Sequence, residues 1–309
     1  PMGNITTIPR LIHQSWRTTS DIPDRFEPWM QSWLKFNPGW KYVFWDDADN
    51  KKLIDGYFPE YAETFKMLPA GVATADFARY ALLYQFGGLY ADADFECKAP
   101  FEDLLGRYEA FLSSEPKAHA KLLENREGVF ICNAIMASRP KHPFWKAVLD
   151  RIKSQASSGM TDPVSLTGPR VVHAIFNEDL DARKGVELLP EEYFYPEIAY
   201  WNMESFERAC ETITDWNRVE CQSLKDHPKG LYTKNTHAVH HWQCTWCRGD
   251  QTEKRIDIQK IVPGLIRPWV AANVSASPEP GPLINPDPLS PLSLKTVPPV
   301  SNPPRNQSA

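Results

Sequence analysis

The sequence predicts an α/β protein with a mostly parallel central sheet covered by helices on both faces, and three observations carry that expectation. Strand-like apolar runs alternate with helix-like amphipathic runs from the start of the chain. The stretch 71–86 is apolar nearly all round and stops at Gly87-Gly88, as a buried helix entering a strand would. A continuous apolar run at 128–138 precedes another helical pattern.

Taken in order, "PRLIHQSW" reads as the first strand. "PDRFEPWMQSWLKFNP" then places Phe26, Trp29, Met30, Trp33 and Leu34 at helical spacing before Asn37-Pro38 ends the helix. "WKYVFWDD" is a second strand, so strand, helix and strand appear at once. "AGVATADFARYALLYQF" is a helix, and "LYADADF" re-enters the sheet. "GVFICNAIMAS" is an apolar strand, "HPFWKAVLDRI" a helix, and "THAVHHWQCTW" closes the domain as a final strand and turn. Segments 110–128 and 155–235 show no readable periodicity. From Ser275 the chain turns rich in proline and serine, which predicts a disordered tail at 275–309 and one folded unit at 5–270.

Composition excludes several classes of function. The 309 residues are 42% hydrophobic with 11 tryptophans, enough to bury a large core. A net charge of -5 without a basic block argues against nucleic acid or an anionic membrane as partner. No apolar run approaches the ~20 residues that cross a bilayer, and no signal-peptide core opens the chain. The expectation is a soluble chain, cytoplasmic by preference. Pro1 ahead of Met2 reads as a cloning remnant, which leaves open a secretory-lumen precursor whose anchor was removed. "MGNITT" fits the myristoylation pattern, which is too permissive to use. The sequons at Asn4, Asn273 and Asn306 lie near the chain ends. The six cysteines are expected to be reduced thiols, with bridges Cys210 to Cys221 and Cys244 to Cys247 as open alternatives.

Of three D-x-D pairs, Asp47 with Asp49 and Asp179 with Asp181 fall in polar surroundings and read as solvated loops or helix ends. Asp92 and Asp94 stand instead in an apolar strand-like run, where carboxylates are disfavoured without a partner. Strand alternation would put Tyr90, Asp92 and Asp94 on one face and Leu89, Ala91, Ala93 and Phe95 on the other. Two like charges so close raise each other's pKa or share a cation, and oxygen ligands suit Mn²⁺ or Mg²⁺. Asp76 and Arg79 are the conspicuous charges of the apolar helix; at i, i+3 they either pair or reach into a polar cavity. In "HAVHHWQCTW", alternation sets His237 and His241 on one face and His240 with Trp242 on the other.

These pieces together resemble glycosyltransferase family 32, the DXD-containing sugar-binding family that includes fungal α-1,6-mannosyltransferases and inositol-phosphoceramide mannosyltransferases. The likeness runs in order over residues 8–247, from "IPRLIHQSW" through "ATADFARYALLYQFGGLYADADFECKAPFEDLL" to "CNAIMASRPKHPFW", "LTGPR" and "AVHHWQCTW". It implies a GT-A fold, a divalent metal, and retention of anomeric configuration. Residue by residue, it implies that Asp92 contacts the ribose and metal region, and that Asp94 ligates a metal bridging the donor diphosphate. Asp76 and Arg79 would hold donor-sugar hydroxyls, Trp16 would stack near the base, and Trp246 would border the donor. His241 is the better candidate for a further metal or diphosphate contact, with His240 as a donor-binding residue. Ala75 and Thr245 stand where the family often has Ser; the hydroxyl survives in the second case and is lost in the first.

The donor implied is a nucleotide sugar, GDP-mannose first and a UDP-sugar as the alternative. The acceptor is a hydroxyl of a glycan, glycolipid or small molecule. Two readings compete: a sugar-nucleotide or carbohydrate-binding protein without turnover, and an aspartate-dependent phosphohydrolase. The second expects a longer apolar strand ahead of the first Asp and a Gly-Thr after the last, where this chain has only "LYA" and "FEC".

Overall fold

The structure, a computed structural model, describes residues 7–249 and 254–269. The expected tail at 275–309 and the three sequons lie outside the described residues.

Ten strands are present among the described residues: β1 (Leu11–Ser15), β2 (Ile22–Pro23), β3 (Lys41–Trp45), β4 (Gly88–Ala91), β5 (Phe95–Cys97), β6 (Ala110–Ser114), β7 (Ile131–Ser138), β8 (Val186–Leu189), β9 (Ala238–His240) and β10 (Arg255–Ile256). Six of them form the central sheet in the order β3-β1-β4-β7-β6-β8. β1 runs parallel to β3 and β4, and β6 parallel to β8; β7 alone is antiparallel to its neighbours. The mostly parallel sheet is thus present, with one reversed strand that sequence pattern does not show.

The helices are α1 (Glu27–Phe36), α2 (Asp47–Tyr57), α3 (Ala62–Met67), α4 (Val72–Phe86), α5 (Glu102–Leu105) and α6 (Pro143–Gln155). They continue as α7 (Pro163–Leu166), α8 (Pro169–Glu178), α9 (Met203–Ala209), α10 (Arg218–Asp226), α11 (Thr245–Arg248) and α12 (Ile258–Ile261). Strand alternation feeds two cores. Ile12, Phe44, Leu89 and Ile135 pack with Phe26, Met30 and Trp33 of the α1 region, whereas Leu11, Val43, Tyr90 and Met136 pack with Phe77 of α4 and Trp145 of α6. A sheet buried on both faces needs apolar residues at consecutive positions, which is why these strands read as apolar runs.

α4 is the most enclosed helix; ten of its fifteen residues are buried. Gly87 caps it at φ 66° and Gly88 follows at φ 100°, conformations that side-chain-bearing residues rarely adopt. A Cβ on Gly87 would lie 2.7 Å from Ser138 O, and one on Gly88 would lie 2.8 Å from Leu11 O, so neighbouring backbone excludes any side chain. The chain therefore turns from α4 into β4 within two residues.

Four expectations need correction. "LYADADF" is not one strand: β4 ends at Ala91, residues 92–94 turn, and β5 begins at Phe95. "THAVHHWQCTW" is not the last element, because β10 pairs with β2 and Ile266 bridges Val43 beyond it. Both cysteine pairs, Cys210–Cys221 and Cys244–Cys247, are disulfides, leaving Cys97 and Cys132 as buried thiols. Asp49 is not solvated: it is 4% exposed, in a capping box with Asp46, and Arg267 bonds both carboxylates.

Candidate functional site

β4 delivers Asp92 to a turn closed by Phe95 N–H donating to Asp92 O at 3.0 Å. Gln14 Nε2, from β1, also donates to that carbonyl at 2.9 Å, while Asp92 N–H donates to Ala134 O at 2.8 Å. The turn, rather than the strand pleat, brings Asp92 and Asp94 together. β9 pairs antiparallel with β5, setting His240 opposite Phe95, and the two rings stack at 4.6 Å. One ligand atom each from Asp92, Asp94 and His240 then lies within 4.8 Å of the others.

Charge is balanced in two directions. Asp92 Oδ1 accepts from Arg79 Nη1 at 3.0 Å and from Tyr90 OH at 2.8 Å, and the Arg79 guanidinium sits over the Tyr90 ring at 4.6 Å. Asp94 Oδ1 lies 3.2 Å from His240 Nε2, and Asp94 Oδ2 accepts from Gln243 N–H at 2.8 Å. Burial pushes both carboxyls up. For Asp92, burial outweighs the Arg79 charge and its pKa stays raised; for Asp94, His240 and the Gln243 amide outweigh burial and its pKa falls. Burial lowers His240, but Asp94 and Asp92 more than offset it and the net direction is upward.

Asp76 and Arg79 pair at 3.4 Å, and of the two only Arg79 lines the cleft, reaching on to Asp92. Asp76 stands one layer behind, accepting from Asn133 Nδ2 at 2.9 Å and Thr167 Oγ1 at 3.0 Å. Burial raises its pKa to about 6, against the opposing charge of Arg79.

Arg79, Asp92, Asp94, Asn133 and His240 line a cleft of about 420 Å³ that also includes Trp16, Trp201, Trp242 and Trp246. Trp16 is anchored by Nε1–H donating to Asp21 O at 2.7 Å, which fixes its half-buried ring in the wall. Trp246, 53% exposed, lies inside the short loop closed by the Cys244–Cys247 bridge after β9.

The structure places His240, not His241, beside the carboxylates. β9 ends at His240; His241 Nε2 lies 3.0 Å from Glu96 Oε2, and its ring stacks on Trp29 at 4.0 Å. His237 faces Asp103 at 3.1 Å, away from the cleft. Three groups escaped sequence reading. Asp47 lines the cleft although its D-x-D pair looked like a solvated loop. Asn133 stands behind "CNA" in an apolar strand, where an Asn is itself a signal. Gln243 contributes its backbone N–H, for which no residue-type signal exists.

Two carboxylates and an imidazole with a buried, unpartnered Nδ1 are a donor set that suits Mn²⁺ or Mg²⁺. The central α/β sheet carries one reversed strand, and the D-x-D turn follows the end of β4 at the cleft. Residues 23–112 match the family described as "Glycosyltransferase sugar-binding region containing DXD motif", and the chain carries that region.

Among curated relatives, it is 32% identical over 146 residues to inositol phosphoceramide mannosyltransferase 1 of Schizosaccharomyces pombe, covering 46% of this chain and 42% of the relative. It is 28% identical over 197 residues to uncharacterized glycosyltransferase L373 of Acanthamoeba polyphaga mimivirus, covering 61% and 73%. The match thus spans under half of the fungal relative's length. Among solved structures, mouse xyloside xylosyltransferase 1 aligns with a TM-score of 0.47 at 12% identity, over 76% of this chain and 97% of that one.

Proposed function

We propose that this chain is a metal-dependent, retaining hexosyltransferase that moves a sugar from a nucleoside diphosphate donor to a hydroxyl acceptor, with mannose from GDP-mannose as the first donor to test. The single observation that carries the reading is the convergence of Asp92, Asp94 and His240 at the wall of a tryptophan-lined cleft. The names of the fungal relatives favour mannose as the donor sugar.

Asp92, Asp94 and His240 would hold Mn²⁺ or Mg²⁺, which when bound neutralises the leaving diphosphate as a Lewis acid. Arg79 orients Asp92 and offsets part of the cost of its burial, and Asn133 and Thr167 do the same for Asp76. Trp16 offers a ring face to the base, and Trp246 closes the far side of the cleft as an exposed flap. No carboxylate nucleophile is assigned; we read the transfer as a same-face displacement in which the departing phosphate takes the acceptor proton. A trapped glycosyl-enzyme adduct would overturn that part.

The test is release of free nucleoside diphosphate from GDP-mannose and from UDP-galactose, with Mn²⁺ and then with EDTA. Chelator-sensitive release supports the reading. Nucleotide binding without release would leave a binding protein, and release of inorganic phosphate would mean a phosphohydrolase. No described helix is long and apolar enough to cross a membrane.

A further inference from the structure

The loop after β9 forms one side of the cleft and is closed by its own disulfide. Trp242, Gln243, Cys244, Thr245 and Trp246 all line the cleft, and the Cys244–Cys247 bridge encloses the last two of them. At its start the loop is tied to a carboxylate of the site. Asp94 Oδ2 accepts from Gln243 N–H at 2.8 Å, and Asp94 O accepts from His241 N–H at 3.0 Å. Arg25 Nε, from the turn ahead of α1, donates to Gln243 Oε1 at 2.8 Å. From Cys244 onward the chain holds itself: Cys247 N–H and Arg248 N–H donate to Cys244 O at 3.1 and 3.0 Å. The α11 turn so formed has four residues, too few for a helix to stand alone.

Two residues of this loop stand in the left-handed region without being glycine, Trp242 at φ 49° and Cys244 at φ 39°. Such backbone persists only where its surroundings over-determine it. Trp242 is buried, donates its Nε1–H to Glu197 O at 3.0 Å, and packs its ring on His240 and His119. Cys244 is half-buried and is held by the bridge and by the turn that the bridge closes. The two disulfides of the protein also differ in access. Cys221 is buried, which shields the Cys210–Cys221 bridge, whereas Cys247 is exposed with the Arg248 guanidinium beside it to attract an anionic thiol. Cysteines three residues apart restrain the unfolded chain little, so opening their bridge leaves the fold standing.

We propose that Cys244–Cys247 is a thiol–disulfide exchange site, and that its state sets the grip of the cleft on the donor nucleotide. The co-reactant is a dithiol. One of its thiolates attacks Cys247 Sγ, the Sγ–Sγ bond breaks, and the electron pair leaves on Cys244 Sγ, which takes up a proton. The second thiol then attacks the mixed disulfide, releasing Cys247 as a thiol and leaving the dithiol oxidised to its own disulfide. With the bridge open, Cys244 leaves the left-handed region and carries Thr245 and Trp246 out of the wall. Asp94 then keeps the Gln243 amide without the closed turn that steadies it. This link to the donor, though not the exchange itself, rests on the glycosyl-transfer reading.

Graded dithiothreitol on the full chain, followed by iodoacetamide and mass mapping of the labelled cysteines, tests the exchange. Cys244 and Cys247 should label at reductant levels that leave Cys210 and Cys221 bridged. Hydrogen exchange at the backbone amides of Gln243, Cys247 and Arg248 should rise in the same samples. Once labelled and freed of reductant, the chain should bind GDP in the presence of Mn²⁺ about tenfold more weakly by titration calorimetry, the worth of one lost aromatic contact. An unlabelled portion allowed to reoxidise should regain the parental affinity. Cys244→Ser combined with Cys247→Ser should bind GDP like the reduced parent and ignore the reductant. Labelling of Cys210 and Cys221 first, or unchanged hydrogen exchange across 243–248, would overturn the exchange site. GDP affinity indifferent to both reduction and the double substitution would overturn its link to the cleft. Absence of GDP binding in the oxidised chain would remove the glycosyl-transfer reading instead, while labelling and hydrogen exchange still decide the exchange site.

Discussion

The pair Asp47 and Asp49 and the pair Asp92 and Asp94 share one motif and have opposite fates. The first opens α2: Asp49 is turned inward, capped by Asp46, and neutralised by Arg267. Its neighbour Asp47 faces the cleft instead, so the two carboxylates part company. The second sits in a turn between strands, where both carboxylates converge on His240 and Arg79, shared with Asp76, pairs with Asp92. Spacing of two residues therefore says nothing by itself. Backbone conformation decides whether the side chains meet, and the resident cations decide whether they are left able to take another.

The two pairs should differ most in Asp94→Asn against Asp49→Asn. The first should cut metal-dependent nucleotide release by about 10³-fold or more while the melting temperature stays close to the parent. The second should leave release within a few-fold but lower stability by about 1–3 kcal/mol, because it weakens a buried charge network. Release assays and calorimetry on both proteins decide it; equal loss of release in the two would erase the distinction.

Buried histidines extend the contrast from carboxylates to imidazoles. His13 has no carboxylate partner: Trp45 Nε1–H donates to its Nδ1 at 3.1 Å, leaving Nε2–H to donate to Gly87 O at 2.8 Å. Burial lowers its pKa from 6.5 to about 4, as it does for His142. Between those values the unfolded chain binds protons that the folded chain refuses, so stability should fall as pH drops from about 6.5 toward 4. For His13 the full effect is about 3 kcal/mol. A flatter melting-temperature profile over that window in His13→Phe would confirm the source; an unchanged slope would reject it.

Two smaller effects sharpen the site itself. His240→Gln should weaken Mn²⁺ binding by about 10- to 100-fold while His241→Gln changes it little, measured by titration calorimetry. The reverse order would return the metal to the residue first expected from sequence. Trp16→Ala should raise the donor KM in proportion to one lost stacking contact, about 1–3 kcal/mol, with kcat less affected.

What the sequence made legible follows from distance along the chain. Strand and helix alternation, the buried α4 and its glycine stop are local patterns, and all three stand in the structure. The Asp92 and Asp94 convergence was legible as a fact but not in its cause, because a three-residue turn interrupts what reads as one strand. The choice between His240 and His241 depends on antiparallel register between β5 and β9, more than a hundred residues apart, which no local periodicity encodes. Residues 155–235 stayed opaque for another reason. α7, α9 and α10 are short, and α10 is pinned by a disulfide and packing rather than by a long amphipathic stripe.

The two glycines after α4 act as a ruler between two halves of one ion pair. Arg79 is measured back from them along the helix and Asp92 forward along the strand, and at this spacing the guanidinium meets the carboxylate at 3.0 Å. Inserting a residue at 87–88 would rotate one arm against the other and part the pair without touching either side chain. Length variation in this scaffold must then be absorbed elsewhere, in stretches that carry no phase relation to the cleft.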